Sequence, residues 1–181
     1  MNITVYLGAS FGANEQFKTD TEALGAYIGK RGHTLVYGGS KCGLMGSLAM
    51  SVMASGGQVI GVEPKFFVDG ELQLDTIDRL IVTEDMQQRK AKMLELGDCF
   101  IAMPGGTGTL DEISEIMCEK SLDRLPGKPC VLYNFKGYYN PLKSLLGQMI
   151  DFGFSTKERQ SGIIFADSLE EIYEIIEQIK A

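Results

Sequence analysis

Tryptophan is missing from this 181-residue sequence, and histidine occurs once, cysteine four times and proline five times. A single histidine, His33, rules out metal clusters built on several imidazoles and leaves any Ser-His or Cys-His relay dependent on that one residue. It follows Lys30-Arg31-Gly32 and reads as an exposed turn residue. Cys42, Cys99, Cys118 and Cys130 form no C-x-x-C pair, and three of them stand in apolar segments, so buried reduced thiols are expected rather than a disulfide frame or structural zinc. Long apolar runs are also missing. The longest, at 99–103 and 130–133, fall far short of the roughly 18–20 residues a membrane span needs, so no membrane partner is expected. Residues 1–6 carry no basic stretch leading into an apolar one and read at once as a strand, which points to a cytoplasmic protein. Basic residues are in deficit, 17 against 24 acidic for a net charge of −7, with no block of like charge. A nucleic-acid partner held by a basic surface is therefore disfavoured.

Glycine is in surplus: 22 residues, about 12% against a usual share of about 7%. The hydrophobic share of 44% and charged share of 23% are ordinary for a globular chain, and the length predicts one domain over residues 1–181. Short, nearly all-apolar runs at 3–7, 34–37, 58–62, 80–83, 99–103, 129–134 and 163–165 alternate with helical spacing at 14–31, 44–55, 85–96, 109–122, 140–152 and 168–180. Strands without polar alternation are expected when helices cover both faces of a sheet. The pattern predicts an α/β fold, a Rossmann-like doubly wound parallel sheet flanked by helices on both faces. Residues 64–76 have no clear period and are expected to form a functional loop. In the last helix, Leu169, Ile172, Ile175, Ile176 and Ile179 share a face suited to core or dimer packing.

Glycines cluster where strands end: Gly8, Gly38-Gly39, Gly61 and Pro104-Gly105-Gly106-Thr107-Gly108-Thr109. That rim is where open α/β sheets bind ligands, and a glycine-rich turn into a helix offers backbone amides and a positive dipole end to a phosphate. Neither a Walker A loop nor G-x-G-x-x-G after the first strand is present, so ATP hydrolysis and a nicotinamide cofactor have no support. Glu112 has two readings. It stands one turn past the phosphate cradle, where a carboxylate could act on substrate, and Thr109-Leu110-Asp111-Glu112 is also a capping box, a spacing repeated at Ser168-Leu169-Glu170-Glu171. Arg89 has two as well. It falls on the stripe formed by Met86, Met93 and Leu94, which would aim its guanidinium at a pocket, or it pairs with Asp85 at i,i+4 on a solvated face.

The run Pro104-Gly-Gly-Thr-Gly-Thr-Leu-Asp-Glu112, with Gln88-Arg89-Lys90 upstream, Val36-Tyr-Gly-Gly39, Gly43-Leu-Met-Gly46 and Gly8-Ala-Ser10, resembles the LOG family. These are cytokinin riboside 5′-monophosphate phosphoribohydrolases, also labelled lysine decarboxylases, and the likeness runs from residue 3 to about 154. The resemblance implies hydrolysis of the N-glycosidic bond of an adenosine 5′-monophosphate, no metal or organic cofactor, and a homodimer with sites near the subunit interface. By the same resemblance Arg89 and Glu112 match the catalytic pair, and Gly105, Gly106, Thr107, Gly108, Thr109, Leu110 and Asp111 match the nucleotide loop. Lys90 matches the residue beside the arginine and Glu71 a carboxylate of the substrate site, while Ser10, Gly39, Ser40 and Met86 are expected on the substrate side. Thr107, Gln87, Ser40 and Met117-Cys118 depart from the plant-like pattern around the base and ribose, so AMP is expected beside N6-substituted AMP as substrate. A lysine decarboxylase would need pyridoxal phosphate on a Schiff-base lysine, and no lysine has a distinguishing context. A nucleotide-binding or sensing module without catalysis is the alternative.

Overall fold

Seven apolar segments line up as one all-parallel sheet in the structure, a computed structural model that describes residues 1–179. The strands are β1 (Asn2–Tyr6), β2 (Thr34–Tyr37), β3 (Gln58–Pro64), β4 (Arg79–Thr83), β5 (Cys99–Ala102), β6 (Cys130–Tyr133) and β7 (Ile163–Ala166). Seven α-helices lie between them, α1 (Glu15–Lys30), α2 (Gly43–Ala54), α3 (Lys65–Val68), α4 (Met86–Leu96), α5 (Thr107–Ser121), α6 (Asn140–Asp151) and α7 (Lys157–Gln160), and α8 (Leu169–Gln178) follows β7. Lys180, expected in the last helix, lies outside the described residues. Among those residues no helix is long and apolar enough to cross a membrane.

The strands are apolar on both sides because both sides are covered. Leu24 and Ile28 of α1, Leu48 and Val52 of α2, and Ile172 and Ile176 of α8 pack on one face against Leu35 and Val131. Met93 of α4, Ile113 and Ile116 of α5 and Leu146 of α6 pack on the other against Val36 and Phe100. Each fully buried side chain of this size contributes about 1.5–3 kcal/mol through removal from water.

The strand order is β4-β3-β2-β1-β5-β6-β7. From β1 the chain builds outward through β2 and β3 to β4, then returns to lay β5 on the other side of β1, with Ile3 opposite Cys99 and Tyr6 opposite Ala102. Connections leaving β1 and β5 therefore diverge and open a crevice at their carboxyl ends. There the backbone N–H of Gly8 donates to Pro104 O at 3.3 Å, so the first and fifth strand-end turns touch.

Several local expectations are corrected. β3 runs to Pro64, so Gly61 lies inside the strand, where Gly39 and Ile77 come close, and not at the rim. The irregular stretch after it begins with the short α3. His33 is half-buried, and burial lowers its pKa. All four cysteines are free. Cys99 and Cys130 are buried, which pushes their thiols up to about 12, but Cys42 is half-buried and Cys118 exposed.

Candidate active site

The turn after β5 leads into α5 with Gly106 as N-cap and no side-chain cap. The amides of the first helical turn have no intrahelical acceptor and, lacking a cap, are left free for an external anion. Two neighbouring hydroxyls fix the turn from behind. Tyr139 donates to Met103 O at 2.8 Å, and Tyr138 donates to Gly105 O. α5 starts at Thr107, two residues earlier than the periodicity indicates, so Thr109 is its third residue and the capping-box reading of Glu112 fails. The matching pattern at the last helix does cap: Ser168 Oγ accepts from Glu171 N–H at 3.2 Å, and Glu171 accepts from Asp167 N–H at 2.9 Å.

Freed from capping, Glu112 points into the interior toward Arg89. Asp85 is itself the N-cap of α4, accepting from Gln88 N–H at 2.8 Å, so the solvated Asp85–Arg89 pair is replaced by a buried one. Arg89 Nε donates to Val62 O at 3.0 Å, and Arg89 Nη1 lies 2.6 Å from Glu112 Oε1, both residues being 6% exposed. No N–H is aimed squarely at that oxygen, so the pair is a close charge contact rather than an aligned hydrogen bond. Burial raises the Glu112 pKa, and the Arg89 charge pulls it back down. Gly38 makes room for the guanidinium: a Cβ there would collide with Arg89 Nη2.

The pair faces a cleft of about 580 Å³ that is also lined by Ser10, Ser40, Met86, Gly106, Thr107, Gly108 and Thr109. Of the other expected site residues, Gly39 stands behind the wall with Glu63 packed against it, and its left-handed backbone (φ +84°) favours glycine. Gly105 lines two adjoining hollows, and Leu110 faces the more apolar of these. Lys90 and Asp111 pair with each other at 3.0 Å, and Lys90 also meets Glu115 at 3.3 Å, which ties α4 to α5 away from the cleft lining. Glu71 sits on an exposed turn with φ +56° and does not line the cleft, whereas its neighbour Leu72 does. Among the departures from the plant-like pattern, Thr107 and Ser40 line the cleft, but Gln87 and Cys118 are exposed and Met117 is in the core.

Sequence reasoning missed Glu63. It is 1% exposed, lines the cleft, and leaves Oε2 without a partner. Burial pushes its carboxyl up to about 7, with Arg89 acting in the opposite direction. One signal was available: Glu63 is the sole acidic residue in any of the seven strands.

The chain is similar to known proteins over nearly its whole length. Residues 45–176 match the family described as possible lysine decarboxylase. A cytokinin riboside 5′-monophosphate phosphoribohydrolase of Rhodococcoides fascians is 41% identical over 93% of this chain and 85% of its own length. The enzyme of that name, LOG5, from Arabidopsis thaliana is 35% identical over 98% of this chain and 78% of its own. Among solved structures, a molybdenum cofactor binding protein from Rippkaea orientalis superposes with a TM-score of 0.73 at 25% identity, covering 98% of this chain and 96% of that one. The molybdenum cofactor carrier protein of Chlamydomonas reinhardtii, at 22% identity and a TM-score of 0.72 over 98% and 96% of the two chains, shares the fold.

Proposed function

The chain belongs to the LOG-type family of cytokinin riboside 5′-monophosphate phosphoribohydrolases, and on that premise we propose that it hydrolyses the N-glycosidic bond of an adenosine 5′-monophosphate to free base and ribose 5-phosphate. The observation that carries this reading is the buried Arg89–Glu112 pair, set in one cleft with the uncapped start of α5. The amides of the α5 first turn hold the 5′-phosphate and so fix the sugar, supplying orientation rather than bond chemistry. Breaking the bond to the base leaves positive charge on the sugar, and a carboxylate beside the anomeric carbon stabilises that charge and orients the attacking water. Glu112 fills that role. Arg89 favours the ionised form of the acid, opposing the upward pull of burial, and contacts ribose or phosphate oxygens. AMP and N6-substituted AMP are both substrates in this reading.

The decarboxylase label does not fit the residues present. Pyridoxal phosphate chemistry requires a lysine for the Schiff base, and no lysine lines the cleft. The competing reading is a binder without turnover, which the likeness to the Rippkaea orientalis cofactor-binding protein favours.

Glu112→Gln and Arg89→Ala, assayed for base release from AMP and N6-isopentenyl-AMP, are each expected to lose about 10²–10⁴-fold in kcat/KM. Near-normal release by both folded variants removes the assignment. Tight AMP binding by the unaltered protein without ribose 5-phosphate supports the binder.

A further inference from the structure

We propose that Glu63 is the proton donor to the leaving purine, a proposal that rests on the hydrolase reading above. Four titratable side chains line the cleft: Cys42, Glu63, Arg89 and Glu112. Glu112 is committed to the sugar and Arg89 is a permanent cation. Cys42 immediately precedes Gly43, which packs against Ala9 and Ser10, and so stands at the cradle end. Glu63 stands at the opposite end, on β3, two strands away from the β1/β5 crevice. Two strand spacings amount to roughly 10 Å, about the reach of an extended nucleoside monophosphate from its phosphate to its base. Phosphate at α5, sugar beside the Glu112–Arg89 pair, and base toward Glu63 therefore follow one line along the rim. Phe67, on the short α3 that follows β3 directly, lines the cleft and offers apolar surface to a flat ring. At that end, the Glu63 carboxyl is the buried polar group left without a partner.

A purine leaves poorly as an anion. As the C1′–N9 bond breaks, its electron pair passes to the ring, and the Glu63 carboxyl gives its proton to a ring nitrogen, so neutral base departs. Water bonds to C1′ and its proton passes to Glu112; transfer through solvent returns the proton to Glu63, and nothing is oxidised or reduced. The groups facing Glu63 are Arg89 from α4, which favours the ionised form, and the buried, unpartnered Tyr37 hydroxyl from β2. With burial outweighing Arg89 and the carboxyl up at about 7, the donor is loaded below neutrality and lost as pH rises through that value. Two carboxyls in one cleft thus take two roles, as in other glycosidic hydrolyses.

The test is Glu63→Gln in the full chain, assayed with AMP and with para-nitrophenyl riboside 5′-phosphate, whose leaving group departs without protonation. Expected are a fall in kcat for AMP on the order of 10²–10⁴-fold with KM little changed, loss of the alkaline limb of the pH profile, and aryl-substrate turnover within a few-fold of the unaltered protein. Retained aryl turnover also shows that the variant is folded. AMP turnover left intact, or both substrates slowed equally, overturns the assignment of Glu63 alone. Failure of the unaltered protein to release base from AMP overturns the hydrolase reading and this proposal with it.

Discussion

Glu63 carries a carboxyl that has left water without gaining a donor, and this has a thermodynamic signature separate from catalysis. Its ordinary pKa of 4.5 is raised to about 7 in the folded chain. Below the ordinary value both folded and unfolded states hold the proton, and the group does not penalise folding. As pH rises from there to about 7, the unfolded chain ionises first and stability falls, reaching a constant deficit above neutrality. Reduced for the open cleft that Glu63 lines, the deficit is on the order of 2 kcal/mol. Glu63→Gln mimics the neutral acid, so its thermal midpoint is expected to exceed that of the unaltered protein at pH 8 and to match it at pH 4; equal midpoints at both values would contradict the burial argument. Glu63 escaped the sequence reading because the apolar run ends at Val62 and a strand-end carboxylate normally reaches water. Arg89 and Glu112 were legible as motif residues, but their mutual contact was not, since it joins α4 to α5 across 23 positions.

At the level of elements, strand-to-helix turns decide what the cleft can hold. Helix α5 starts without a cap because Gly106 has no side chain to offer, and its turn is held instead by Tyr138 and Tyr139 from the connection between β6 and α6. Tyr139→Phe removes the donor to Met103 O within a buried region, and a loss of about 1–2 kcal/mol is expected from the urea midpoint, with a raised KM for nucleotide as the turn loosens. An unchanged midpoint would mean that the turn is held by other contacts. Long periodic helices and all seven strands were readable from apolar spacing. The four-residue α3 and α7 were not, because a single turn shows no period, and the start of α5 was misplaced because Thr109 mimics a cap that glycine makes unnecessary.

For the whole molecule, apolar surface is spread unevenly. Leu110, Tyr138, Leu142 and Leu145 line a groove of about 510 Å³ beside the glycine turn, and Phe152 and Phe154, just past the end of α6, are 76% and 84% exposed. An apolar groove of this kind suits a second copy of the chain. Light scattering is expected to give a dimer, and Leu110→Glu with Leu145→Glu is expected to give monomers; a monomeric unaltered chain would remove the homodimer proposal. The strand order has a separate consequence for synthesis. A nascent chain halted on the ribosome before residue 99 can complete β4-β3-β2-β1, but it leaves the outer edge of β1 with hydrogen-bonding groups unsatisfied. It also has no partner for the turn at Gly8. Nucleotide therefore has nothing to grip during the first half of translation, and an unfinished chain is open to pairing with its neighbours on the same message until β5 arrives.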